Sequence, residues 1–463
     1  MRSRSRRAGL GPDTGSGPVL RPGLDTGASE GRLGHARRMT DASTAARPRA
    51  LRLPQLSGRA SFWVVAYAFL TVTALSTAPS PLYGLYAHRD RFSSLTITVV
   101  YGVYVVGLVA SLLLAGHVSD WYGRRTVLIP GLVIAIAAVI VFIVGKSLGA
   151  VVAGRILTGI ALGASVATVT AYLSDLDTDS AGAPTRRAGI VATIANVGGL
   201  AIGPLVAGIL AEYASDPLTL PYVVLFASLG VGLLGVVASV ESRPPLSPRP
   251  AYHAQRLRAL AEGRGQFFAA IAGAFLSFAV FGLFAGLAVT LLARSFDHHS
   301  PALAGLAIFM TFGCGLVAQI TTFRWSAQRS IAVGASPAIV GLCIMVVSAW
   351  TAPPSLAAFL IGGVIAGAGG GLIFRGSLSF VIASSSADVR AGALATYFTA
   401  AYIGIAIPVI GAGAVLQFAS PRVTLLVFGV AVSIGIVAAA PILFRSRGTR
   451  EARGLEVVHE VGD

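Results

Sequence analysis

Carboxylates are scarce in this chain: 19 Asp and Glu stand against 35 Lys and Arg, and every acid falls in a tail, in a connection or at the end of an apolar run. None sits near the middle of a long hydrophobic segment, which argues against paired-carboxylate chemistry inside the apolar part of the molecule. Cysteine is nearly absent as well. Cys314 and Cys343 both lie in apolar stretches without CxxC spacing, so they read as small core residues rather than as a disulfide framework or a metal site. Among the histidines, the adjacent pair His298 and His299 has no ligand partner nearby, and no metal is expected. A glycine-rich, lysine-bearing phosphate loop is missing too, so ATP hydrolysis is not supported. No cofactor and no enzymatic activity are expected.

Apolar length is what the chain has in abundance. Of its 463 residues 55% are hydrophobic and only 12% charged, a balance that suits helices dissolved in lipid rather than a water-soluble core. Runs of about twenty apolar residues fall near 62–86, 95–118, 126–146, 149–173, 188–211 and 221–240, then after a polar, proline-rich interval near 267–293, 301–323, 331–350, 355–380, 391–416 and 422–444. The reading is all-α and polytopic, with twelve transmembrane helices in two sets of six. The divisions are a polar tail at 1–60, a first bundle at 61–241, a connection at 242–266, a second bundle at 267–444 and a tail at 445–463. The break between the third and fourth runs, at Ser147 and Leu148, is short enough to leave the split open.

The formal charge of +16 would suit nucleic acid, but the arginines are spread between the apolar runs and read better as topology signals. One set of connections holds Arg124, Arg125, Arg186, Arg187, Arg243, Arg249, Arg256, Arg258, Arg264, Arg324, Arg329, Arg390 and four arginines after 444. The other holds Arg89, Arg91, Lys146, Arg294 and Arg422. Positive residues resist translocation, so both tails and the central connection are expected in the cytoplasm of a cell bounded by this inner membrane. The first sixty residues lack periodic apolar content and are expected to be disordered, with Met39 a plausible alternative start.

Two segments repeat at a separation of about two hundred residues. Arg187-Ala188-Gly189-Ile190-Val191-Ala192-Thr193 matches Arg390-Ala391-Gly392-Ala393-Leu394-Ala395-Thr396, and Gly154, Gly159 and Gly163 match Gly362, Gly367 and Gly371. Six helices separate the copies, so the repeat is parallel, with a central cavity expected between the halves. After the second run stands Gly116-His117-Val118-Ser119-Asp120-Trp121-Tyr122-Gly123-Arg124-Arg125. Its Gly, Asp, Gly, Arg, Arg spacing resembles the signature of the major facilitator superfamily. The resemblance implies that Asp120 latches one conformation by facing a helix N-terminus of the other half, and the long side chains of Arg124 and Arg125 can snorkel into the headgroup layer. The second-half counterpart, Gly315 to Gln319 with Arg324, has glutamine in place of aspartate.

Arg155, followed by Gly159 and Gly163, resembles a family motif whose intramembrane arginine is linked to proton transfer; a side chain snorkelling to the interface is the other reading. Arg375 poses the same choice. In the fifth run, Gly198 to Gly208 resembles the motif of drug and metabolite antiporters, with Gly199, Gly203, Pro204 and Gly208 in place and Ala207 where glycine is usual. A bent, closely packed fifth helix is expected to seal the halves, though a generic packing helix reads the same. Tyr83, Tyr86, Asn196, Tyr397, Thr399 and Tyr402 are the candidate cavity residues; Tyr83 and Tyr86 suit an interfacial belt equally well. Glu212 and Asp120 are the only acids near enough to couple a proton. The expected activity is secondary transport of a small, hydrophobic or amphipathic molecule, outward, in a lipid bilayer. Uptake of a sugar or organic acid, or a transport-inactive receptor or scaffold, are the alternatives.

Overall fold

The computed structural model describes residues 55–178, 185–248, 250–260, 263–386 and 389–444. The expectations for most of the N-terminal tail, for Met39, for Arg249 and for residues 445–463 lie outside the described residues. Among the described residues, twelve helices are long and apolar enough to cross a membrane. They are, in order, Gly58–Asp90, Ser94–Ala115, Arg124–Val144, Leu148–Leu176, Arg186–Tyr213 and Leu220–Ala238, then Arg264–Phe296, Pro301–Thr321, Ala327–Trp350, Leu356–Ser384, Arg390–Val415 and Pro421–Ile442.

Side-chain caps explain where several spans begin. Ser93, Ser147, Thr185 and Ser300 each accept an amide hydrogen bond from three residues on, satisfying a donor that the helix leaves free. Ser147 thereby settles the split between the third and fourth spans. Several helices extend beyond the apolar runs, the seventh by three residues at each end, because the helix continues after the side chains turn polar.

The spans form two halves of six. In the first half the first span lies at the centre, against the fourth, fifth and sixth; in the second half the seventh lies against the tenth, eleventh and twelfth. Third, sixth, ninth and twelfth spans are peripheral, and their outer faces carry exposed apolar side chains such as Val144, Leu234, Val347 and Ile434, as lipid contact requires. The glycine repeat meets equivalent partners in both halves. A Cβ on Gly159 or Gly163 would strike the carbonyls of Tyr104 or Leu108 in the second span, and one on Gly367 or Gly371 those of Thr311 or Gly315 in the eighth. Close backbone approach is the main source of helix association in lipid, where apolar burial gives little.

Between the halves, the fifth span packs on the eighth and the second on the eleventh. We call the side on which the described chain begins and ends the terminus side, and the other the far side.

Candidate functional site

On the terminus side, the signature turn is built around Gly123, whose φ of 98° is a conformation glycine adopts without strain. A Cβ there would lie 2.6 Å from the Glu241 carboxylate. That carboxylate accepts from the amides of Arg124 (2.7 Å), Arg125 (3.2 Å) and Thr126 (3.3 Å), so it caps the third span and complements its positive end. Glu241 was not picked out from the sequence, because its partners lie over a hundred residues away. Arg124 does not snorkel. Its nearly buried guanidinium pairs with Asp120 (2.8 Å) and with Asp175 at the end of the fourth span (3.1 Å), and donates to Ser119 Oγ (2.7 Å). Arg125 donates to the Ser239 carbonyl (2.8 Å). Asp120 also pairs with Arg243 (2.9 Å), so in this conformation it is held by its own half and the central connection rather than by a helix of the other half. Gly116 follows the last turn of the second span and donates to the Leu112 carbonyl (3.1 Å).

Arg155 lies in the interior of the first half, with no exposed surface. It donates to the carbonyls of Ser76 in the first span and Tyr101 in the second (2.8 Å to Tyr101), with its guanidinium 4.4 Å from the Tyr104 ring centre. The first span explains this placement. Its helix breaks at Ala78 before Pro79 and Pro81, leaving terminal carbonyls without intrahelical donors, and the arginine supplies one. The side chain is thus directed into the protein, away from the headgroup layer. The hydroxyls of Ser80 and Tyr83 and Nε of Arg155 are buried there without a hydrogen-bond partner.

The fifth-span motif divides its contacts. Gly199 and Gly203 face the first span, where added Cβ atoms would meet Thr73 and the Ala74 carbonyl, so this part packs the first half on itself. Pro204 cannot donate to the Leu200 carbonyl, and Thr77 of the first span does so instead (3.0 Å). Backbone-to-backbone approach to the other half comes in the later part, while Gly198 at the start meets only the Leu316 side chain of the eighth span (3.6 Å from an added Cβ). A Cβ on Gly208 would lie 2.4 Å from the Pro301 carbonyl, and one on Gly305 would lie 2.3 Å from that of Pro204. Glu212, at the same end, accepts from Ser300 Oγ (2.8 Å) and the Ala302 amide (3.4 Å), and so caps the eighth span from across the interface. Nearby, a cavity of about 550 Å³ opens between the halves, lined by Gly84, His88, Val289, Thr290 and Arg294 among others.

The candidate cavity residues are spread over the first, fifth and eleventh spans. Tyr397 is buried and donates to the Phe374 carbonyl (2.7 Å), while Tyr402 is buried edge-on to Phe278. Thr399 is buried with its hydroxyl unpartnered, Asn196 is half-buried, and Tyr83 and Tyr86 are buried at the far end of the first span, so neither is an exposed belt residue. Arg375 donates to Ser330 Oγ (3.1 Å) and to the Phe323 carbonyl, pinning the turn between the eighth and ninth spans. Lys146, on the far side, donates to the Leu218 carbonyl (2.9 Å) and Thr219 (2.7 Å); burial lowers its pKa. His299 lies 3.6 Å from Asp297, with both side chains exposed. Cys314 and Cys343 are free. Among the described residues no group of three His, Cys, Asp or Glu is placed to hold a metal.

Comparison with known proteins places this arrangement. Residues 58–358 match the family described as Major Facilitator Superfamily. A probable metabolite transport protein, CsbC of Bacillus subtilis, is 30% identical over 139 residues, which cover 30% of this chain and 28% of the relative. The multidrug resistance protein MdtL of Escherichia coli is 29% identical over 157 residues, covering 33% and 38%. The chain therefore spans well under half the length of these relatives. Among solved structures, the human organic anion transporter MFSD10 superposes with a TM-score of 0.61 at 17% identity, over 84% of this chain and all of that one. A peptide transporter, POT, superposes at 0.66 and 12% identity, over 83% and 94%. With the family's sequence pattern over most of the spans and its helical arrangement in both halves, the chain belongs to the major facilitator superfamily of membrane transporters.

Proposed function

We propose that this transporter exports a hydrophobic or amphipathic small molecule by alternating access, its two halves rocking about a site near the middle of the bilayer. One observation carries the alternating part: the two sides join the halves differently, backbone to backbone on the far side and through side chains, such as Arg186 over the Phe323 ring (5.1 Å), on the terminus side. On the far side the halves interlock backbone to backbone at Gly208 and Gly305, and Glu212 caps a helix of the opposite half. On the terminus side Asp120 is turned away from the other half and held by Arg124 and Arg243. Opening the far side must break the Glu212 contact, and closing the terminus side frees Asp120 for a new one, so the two carboxylates act as opposed latches.

Export is supported by the fifth-span motif and by the likeness to a multidrug resistance protein. Spans without internal carboxylates favour an apolar or amphipathic substrate over a cationic one. The buried Arg155, with Ser80 and Tyr83 beside it, is the proposed element of proton coupling. The arginine-rich connections support an inner-membrane location with the terminus side in the cytoplasm. Uptake of an organic anion or sugar is the second reading, favoured by Arg155 as a counter-charge and by the metabolite-transporter relative. Accumulation of a compound panel in cells with and without the protein, repeated with the proton gradient dissipated, tests both. Lower accumulation that returns to control when the gradient collapses is expected; higher accumulation moves the assignment to uptake.

A further inference from the structure

Residues 250–260 of the central connection do not simply join the halves. They run between the terminus-side ends of the second and eleventh spans and bond to both. The Gln255 amide donates to the Leu113 carbonyl (2.8 Å) and the Tyr252 hydroxyl to that of Leu114 (3.0 Å), two carbonyls of the second span's last turn. Tyr252 and His253 stack on His117, which also meets Trp121 edge-on, all within the signature segment or the connection. Burial, with His253 beside it, pushes the His117 imidazole below its ordinary pKa.

At the other end, the Arg258 amide donates to Thr396 Oγ (3.0 Å) in the first turns of the eleventh span, and Leu260 is buried against the cluster that holds Ala393 and Tyr397. Gly392 makes room: a Cβ there would lie 2.9 Å from both the Arg256 carbonyl and the Arg258 side chain. Its counterpart in the repeat, Gly189, has nothing nearer than the Phe323 ring at 3.7 Å. The eleventh span also lacks the side-chain cap that Thr185 gives the fifth.

We propose that residues 250–260 are a strap that holds the second and eleventh spans apart on the terminus side, and that its release gates closure there. The inference rests on the alternating-access reading. The strap occupies the space between the terminus-side ends of the second and eleventh spans, so its docking and the approach of those two ends compete for one space. Its hold is releasable. Arg256 and Arg258 are exposed beside a helix end that is itself positive, so backbone bonds and stacked rings hold the strap without help from charge. Because the strap binds only the open arrangement, loosening it shifts the population toward the closed one.

The test uses spin labels at Thr178→Cys and Ser384→Cys, on exposed positions at the ends of the fourth and tenth spans, in a Cys314→Ala/Cys343→Ala background reconstituted in liposomes. Tyr252→Phe/Thr396→Val removes the side-chain anchors, and Gly392→Val displaces the strap sterically. Both are expected to raise the ratio of short to long inter-label distances by about fivefold, the effect of losing one or two hydrogen bonds. Gly189→Ala, whose Cβ fits at ordinary contact distance, is expected to leave it unchanged. Hydrogen exchange at the Gln255 and Arg258 amides should quicken in both strap variants. Faster exchange with an unchanged distance distribution overturns the gating role, and unchanged exchange overturns the docking. An equal shift in Gly189→Ala also overturns the proposal. Solute accumulation, measured separately, reports on the transport reading: a strap that governs the distance in a protein moving no solute stands without it.

Discussion

Thr77 and Pro204 show how single residues are read differently once the chain is folded. The proline deprives the Leu200 carbonyl of its helical donor, and the threonine from another span replaces it. Thr77→Val should therefore destabilise the protein by about 1–3 kcal/mol, the cost of leaving a buried acceptor bare. Adding Pro204→Ala restores the amide donor and should recover most of that loss. Thermal unfolding of the two single variants and the double variant in detergent measures the coupling; strictly additive effects would show that the hydroxyl and the proline are independent. Glu241→Gln is predicted to weaken the cap on the third span by about 0.5–2 kcal/mol, read as a fall in the same unfolding midpoint.

Within the fifth helix, one glycine motif serves two contacts, and the variants should separate them. Gly203 lies against the Ala74 carbonyl of its own half, so Gly203→Leu should reduce the yield of folded protein. Gly208 lies against Pro301 of the other half, so Gly208→Leu should fold but fail to close the far side. Size-exclusion profiles report the first effect, and leak of a preloaded substrate from vesicles reports the second. If both variants lose folding equally, the division of the motif is wrong.

At the scale of the whole molecule, the opposed carboxylates predict opposite shifts. Glu212→Gln removes a far-side contact seen in this conformation and should favour opening on that side. Asp120→Asn removes the proposed terminus-side latch and should favour the conformation described here. Each is expected to move the equilibrium severalfold, since a charge at a helix terminus contributes about 0.3–2 kcal/mol. Labels placed across each side should report changes of opposite sign, with turnover lowered in both and substrate affinity little changed. A shift of the same sign in the two variants would end the opposed-latch assignment.

Apolar length, the glycine repeat and the Gly116 to Arg125 turn were enough to read twelve spans, two related halves and the superfamily, because these features are local or periodic along the chain. Arg155 and Asp120 were legible as charges in telling positions, but their partners were not. The Ser76 carbonyl, Asp175 and Arg243 come near only when spans distant in sequence pack together. Glu241, Thr77 and the strap at 250–260 carried no signal at all: a polar residue in a connection looks like any other until a helix end needs its oxygen or amide. Sequence by itself determined how many helices cross the bilayer, since lipid demands an apolar face and internal hydrogen bonds from every segment alone. Tertiary structure alone decided which side interlocks and which carboxylate meets the opposite half, since those contacts depend on how the two halves are tilted against each other.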